Sequence, residues 1–121
     1  MIIITEITDD PKQKFIVQRE DNETFTLELE FLDQQERWIY NIRDLPNSDI
    51  VINGNSIVSN PNLLRQFRRI LDFGISCTSE DGDDPSFIDD FSSDRAELGI
   101  LTAQEVQEIE DDFFSIKVEL E

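Results

Sequence analysis

The chain has 121 residues, enough for one hydrophobic core, and its 28 acidic against 10 basic side chains give a formal charge of −18 at neutral pH. Such a field repels nucleic acids and anionic membranes and favours basic protein partners. Histidine is absent and Cys77 is the single cysteine, which excludes Ser-His-Asp and Cys-His catalysis, the usual zinc sites and an internal disulfide.

Taken in chain order, Met1 to Ile7 is apolar and β-branched and predicts an edge strand, and Asp9-Asp10-Pro11 supplies a turn. Phe15 to Arg19 predicts a second strand. From Phe25 to Phe31 the alternation is clean, with Phe25, Leu27, Leu29 and Phe31 on one face and Thr26, Glu28 and Glu30 on the other. That period of two, with one wet face, indicates a half-buried antiparallel strand. Trp38, Tyr40 and Ile42 share one face of the next strand. Ile50-Val51-Ile52 predicts a short strand that turns at Asn53-Gly54 into a returning Ser56 to Ser59, since that dipeptide favours positive φ.

Asn60 as N-cap and Pro61 at the first helical position introduce Leu63, Phe67 and Ile70 at helical spacing, which predicts one principal short helix over about 61–72, stopped by Gly74. Ile75 to Ser79 predicts a strand. Glu80 to Glu97 is an acidic loop with eight carboxylates and one arginine, carrying a turn of helix at 85–88. Leu98 to Thr102 returns to the sheet. Ala103 to Asp112 has Val106 and Ile109 at helical spacing, and Phe114 to Leu120 alternates as a terminal strand. The expected fold is therefore mainly β (β-rich α+β): a small antiparallel sandwich or barrel-like sheet in a single domain, 1–121, with one short helix. No basic start followed by an apolar stretch predicts a secretion signal, Met1 to Thr5 is too short to span a bilayer, and a single cysteine fits synthesis in a reducing cytosol.

Chemistry is sparse in this pattern. Four glycines build no phosphate-binding loop, so no cofactor is expected. A calcium loop starting at Asp81 would put Asp83 at its third position, but Pro85 falls at the fifth and Ser86 where glycine is required. A solvated acidic loop is the simpler reading, an irregular divalent-ion site the alternative. Trp38 and Tyr40 are candidates for the core or for an interface. Arg65, Arg68 and Arg69 share the wet face of the expected helix, either pairing with the chain's own carboxylates or docking to an acidic neighbour. The terminal strands, with Ile116, Val118 and Leu120 in the last, either pair with each other or offer an edge to another subunit.

The order of a strand of alternating apolar residues, the strand Arg37-Trp38-Ile39-Tyr40-Asn41-Ile42, a short apolar strand and Ile57-Val58-Ser59-Asn60-Pro61-Asn62-Leu63-Leu64 resembles the baseplate plug proteins of contractile-tailed phages. The likeness runs over about 15–101 and leaves an acidic C-terminal extension, 103–121, beyond the shared region. The resemblance implies a structural subunit of the virion near the hub and the distal end of the tail tube, made in the bacterial host cytoplasm and helping to close the tube until contraction. Its implied partners are other baseplate, hub, spike or tail tube proteins, in several copies per particle, with no catalytic residues, metal or cofactor. A rival from another class is an acidic mimic of nucleic acid that inhibits a basic DNA-binding host protein; a small hydrolase using paired carboxylates is a more distant one.

Overall fold

A computed structural model describes residues 1–19, 23–45, 51–67 and 71–119, with side chains described as far as Asp111. Strict alternation builds its first sheet. Phe25, Leu27 and Leu29 are buried along β3 (Thr24–Leu32), and Trp38, Tyr40 and Ile42 along β4 (Arg37–Arg43). Antiparallel register sets Leu27 opposite Ile42, Leu29 opposite Tyr40 and Phe31 opposite Trp38, so both apolar sets point to one side. A 3-10 turn at Asp33–Gln35 joins the two strands and exits through Glu36 at φ 50°. β2 (Lys12–Gln18) and β5 (Ile52–Ser56) complete the order β2-β3-β4-β5.

A second antiparallel sheet, β1-β7-β6, is formed by β1 (Ile2–Ile3), β6 (Gly74–Ser79) and β7 (Ala96–Leu101). Its register pairs Ile75 with Ile100 and Cys77 with Leu98, all four nearly or fully buried in the same core as the first sheet. Aromatic contacts bind the layers together: Phe25 lies 4.8 Å from Phe73, and Trp38 meets Phe91 edge-on at 5.4 Å between ring centroids. The helix α1 (Ala103–Glu119) follows β7. Its start is a capping box in which the Thr102 amide donates to Glu105 Oε1 at 3.1 Å and the Glu105 amide donates to Thr102 Oγ1 at 3.2 Å. Val106 buries its side chain one turn further on. Mostly β, with two antiparallel sheets and one α-helix, the fold class agrees with the sequence pattern.

The helix is not where spacing put it. Within 61–67 the chain forms turns and a 3-10 turn at Arg65–Phe67, while 68–70 lie outside the described residues. Two successive side-chain turns take the place of a helical start: Asn60 Oδ1 accepts from the Asn62 amide at 2.9 Å, and Asn62 Oδ1 from the Leu64 amide at 3.0 Å. The Leu63 amide then donates to the Ile75 carbonyl at 2.7 Å, which ties this segment to β6 instead of to itself. The expected terminal strand over Phe114 to Leu120 is helix as far as Glu119, because Val106, Ile109, Phe113 and Ile116 also recur at intervals of three and four once the capping box has set the phase. The N-terminal strand shrinks to Ile2–Ile3 and pairs with β7, not with the C-terminus.

Asn53-Gly54 makes no hairpin. Both residues lie inside β5, where the register against β4 shifts between Tyr40 and Ile42, and Gly54 takes φ 67°. The positive φ is used in a bulge, fixed by the Gly54 amide donating to Asn41 Oδ1 at 2.7 Å. Gly74 likewise opens β6 instead of closing a helix, for a steric reason: a Cβ there would stand 2.6 Å from Asn62 Oδ1. Asn62 is 2% exposed, and the same oxygen also accepts from the Ile75 amide at 3.2 Å, so it cannot retreat cheaply. Gly74→Ala is expected to destabilise the chain by about 1–3 kcal/mol. Gly99→Ala, which meets the flexible Met1 thioether at 2.6 Å, is expected to cost under about 1 kcal/mol. Urea denaturation of the two variants checks the order.

Candidate functional site: an acidic loop locked over Trp38

The sequence hides which of the eight carboxylates of the acidic loop is structural. The structure singles out Asp90, which is 1% exposed between turns of the loop. Four donors converge on it. Arg95 forms a fork, Nε to Oδ1 and Nη2 to Oδ2, both at 2.7 Å, while the Ser86 and Phe87 amides reach Oδ2 at 2.7 and 2.9 Å. Arg95 also binds Asp81 through Nη1 at 2.7 Å. Burial pushes the Asp90 carboxyl up, but the Arg95 hydrogen bonds and the two amides outweigh it and hold the group below the usual carboxylate range. The same pairing raises the Arg95 pKa, so the fork stays charged.

The lock fixes the backbone around Phe87, whose carbonyl accepts the Trp38 indole N–H at 3.1 Å. Phe91 packs edge-on against the indole, and Trp38 is 0% exposed. Truncating a buried Trp costs about 3–5 kcal/mol, a large part of a stability of roughly 5–15 kcal/mol. Trp38 therefore serves the core. Tyr40 is buried too; its hydroxyl lies 3.5 Å from the Leu63 carbonyl, and desolvation raises its pKa despite a hydrogen bond with Asn55. Phe87 is the opposite case: its backbone is held at both ends while its side chain stands 60% exposed under the Arg95 guanidinium, 5.9 Å from the ring centroid.

The remaining candidates separate. Arg65 pairs within the chain, Nε to Glu110 Oε1 at 3.0 Å, and so ties the 60s segment to α1. Arg68, Arg69 and Leu120 lie outside the described residues; Ile116 and Val118 are on the helical backbone of α1, and their side chains lie outside the description as well. Cys77 is buried, and desolvation first, then the nearby Asp84 charge, push its thiol up to about 12. Among the described residues no group of three His, Cys, Asp or Glu side chains is arranged to hold a metal ion. Sequence reasoning missed Asp90, Arg95 and Phe87; the available signal was a lone arginine in a run of acids, which calls for a buried partner.

A family model described as "Cyanophage baseplate Pam3 plug gp18" matches residues 1–103. The chain belongs to that baseplate plug family. Membership carries a structural role in a phage tail baseplate, in association with other baseplate proteins. The match covers both sheets and the locked loop and ends where α1 begins. A search of curated proteins finds no match.

The lock makes a prediction with a definite sign. A carboxyl whose folded pKa is depressed contributes stability that is fully present above its unfolded value, about 3.9, and is lost as the pH falls through the lower folded value. Asp90→Asn is expected to cost about 2–3 kcal/mol at pH 7, where it breaks the fork. The difference from the native chain should shrink below about pH 4. Urea titrations at pH 7 and pH 3, followed by Trp38 fluorescence, measure both.

Proposed function

We propose that the chain is the plug-type subunit at the hub of a contractile tail, closing the distal end of the tube until contraction and helping to assemble the baseplate. The observation that carries this reading is the family match over residues 1–103, which takes in every strand among the described residues and the loop over Trp38. The geometry suits the role. The largest aromatic side chains are spent on one core that holds the layers together, which gives a subunit able to fold before assembly and to bear load within it. The role requires neither catalysis nor a cofactor, and we assign none. Its neighbours are tube, hub, spike and other baseplate proteins, in several copies.

An acidic mimic of nucleic acid draws support from the −18 charge alone. It predicts tight binding to a basic DNA-binding protein that weakens steeply with salt. The plug reading is tested by a mass-spectrometric inventory of purified particles and of isolated tails. The chain is expected in both, at a fixed ratio to tube and hub subunits. Its absence from intact particles would overturn the reading.

A further inference from the structure

The cations of this acidic chain are distributed unevenly. Lys12, Lys14, Arg37 and Arg43 all stand exposed on the outer face of the four-stranded sheet, four of the ten basic residues in the sequence. The register fixes their places: Lys12 opposite Glu30, Lys14 opposite Glu28, and Arg43 opposite Thr26. Glu28 and Glu30 oppose them on the strands of that face, and Asp44 joins it through the Thr26 hydroxyl, which donates to Asp44 Oδ2 at 2.8 Å. Arg43 meets Glu28 at 2.7 Å and Lys12 meets Glu30 at 3.6 Å, and the four cations outnumber the three carboxylates Glu28, Glu30 and Asp44 by one. Beside the two lysines, on the same outer side of β2, Ile16 is 74% exposed.

The complementary surface lies on the same chain. The locked loop presents Phe87 at 60% exposure with the exposed Asp83, Asp84 and Asp89 around it in sequence. Asp83 and Asp89 make no side-chain hydrogen bond or ion pair among the described residues, so their charges are available outward. Phe87 cannot collapse onto the core, because its amide is held by Asp90 and its carbonyl by Trp38. An exposed aromatic on a fixed backbone is a preorganised anchor, one that gives up little conformational entropy on docking.

We infer that the outer face of the β2-β3-β4-β5 sheet docks the Phe87 loop of a second copy of this chain, with Phe87 against Ile16 and Asp83 and Asp89 against Lys12 and Lys14. The two patches differ, so the contact is heterologous, running head to tail from copy to copy and closing into a ring or extending as a row. Long-range repulsion between two chains of −18 does not forbid it. At physiological salt the screening length is about 8 Å, so the charges at the contact decide. The inference concerns contact between copies, and goes beyond the choice of baseplate neighbours proposed above.

The test uses the full chain and two charge-reversed variants, K12E/K14E and D83K/D89K, in sedimentation equilibrium and native mass spectrometry. The native chain is expected to associate with concentration at 50 mM salt and to dissociate at 500 mM. Each variant alone is expected to associate at least about tenfold more weakly, because like charges then face each other. Mixed in equal amounts, the two variants should associate again, since each loop then meets a face of opposite charge. Phe87→Ala, which removes no charge, should weaken association of the native chain while lowering its stability by no more than an exposed cation–π contact contributes. A native chain that stays monomeric at low salt, variants that associate like the native chain, or a mixture that stays monomeric would each overturn the inference.

Discussion

Burial of the single tryptophan under a loop made mostly of acids is the constraint on which the rest of the structure depends. Trp38 sits on β4, one of the two central strands of its sheet, and its buried indole N–H must find an acceptor that satisfies it. The Phe87 carbonyl does so, from a loop that connects two strands of the other sheet. The loop is thereby part of the core. Eight carboxylates in its stretch of chain would otherwise drive it apart. Asp90 and Arg95 resolve the conflict by turning one of those carboxylates inward and neutralising it at close range. The other seven acids of the stretch remain exposed.

This device joins the fold to the role of an assembly subunit. A surface intended for docking works best when it is already rigid, because ordering it on contact would consume binding energy. Here the core rigidifies the loop, and the loop displays Phe87. The outer face of the four-stranded sheet carries the exposed Lys12, Lys14, Arg37 and Arg43 over the same core. Outside these surfaces the abundant acids keep the separate subunit soluble. Helix α1 begins where the family match ends. It is held to the body by Val106 and by the Arg65–Glu110 pair, so the extension is anchored at its start.

Much of this was legible in the sequence where a period had one meaning. Phe25 to Phe31 and Trp38 to Ile42 alternate with charged or polar residues on the opposite face, and they form the two central strands in register. Where a pattern had two meanings, the tertiary context chose. Leu63 and Phe67 are spaced for a helix, but the Asn60 and Asn62 side chains take up the local amides and β6 takes the next one. Phe114 to Leu120 alternates like a strand, yet Thr102 and Glu105 start a helix upstream that runs as far as Glu119. Asn53-Gly54 supplied the positive φ its composition promised, but inside a strand. The candidate site was the least visible part, because nothing in a run of carboxylates says which one will be buried. The arginine in that run was the only pointer, and it needed the fold to give it meaning.

Hydrogen exchange at the Trp38 indole N–H, followed by NMR on the full chain, tests most directly whether the loop belongs to the core. This proton is expected to exchange as slowly as the amides of β3 and β4, through global unfolding alone, because the Phe87 carbonyl is held in place by the Asp90–Arg95 lock. An indole proton that exchanges orders of magnitude faster than those amides would show a loop that opens on its own and is no part of the core.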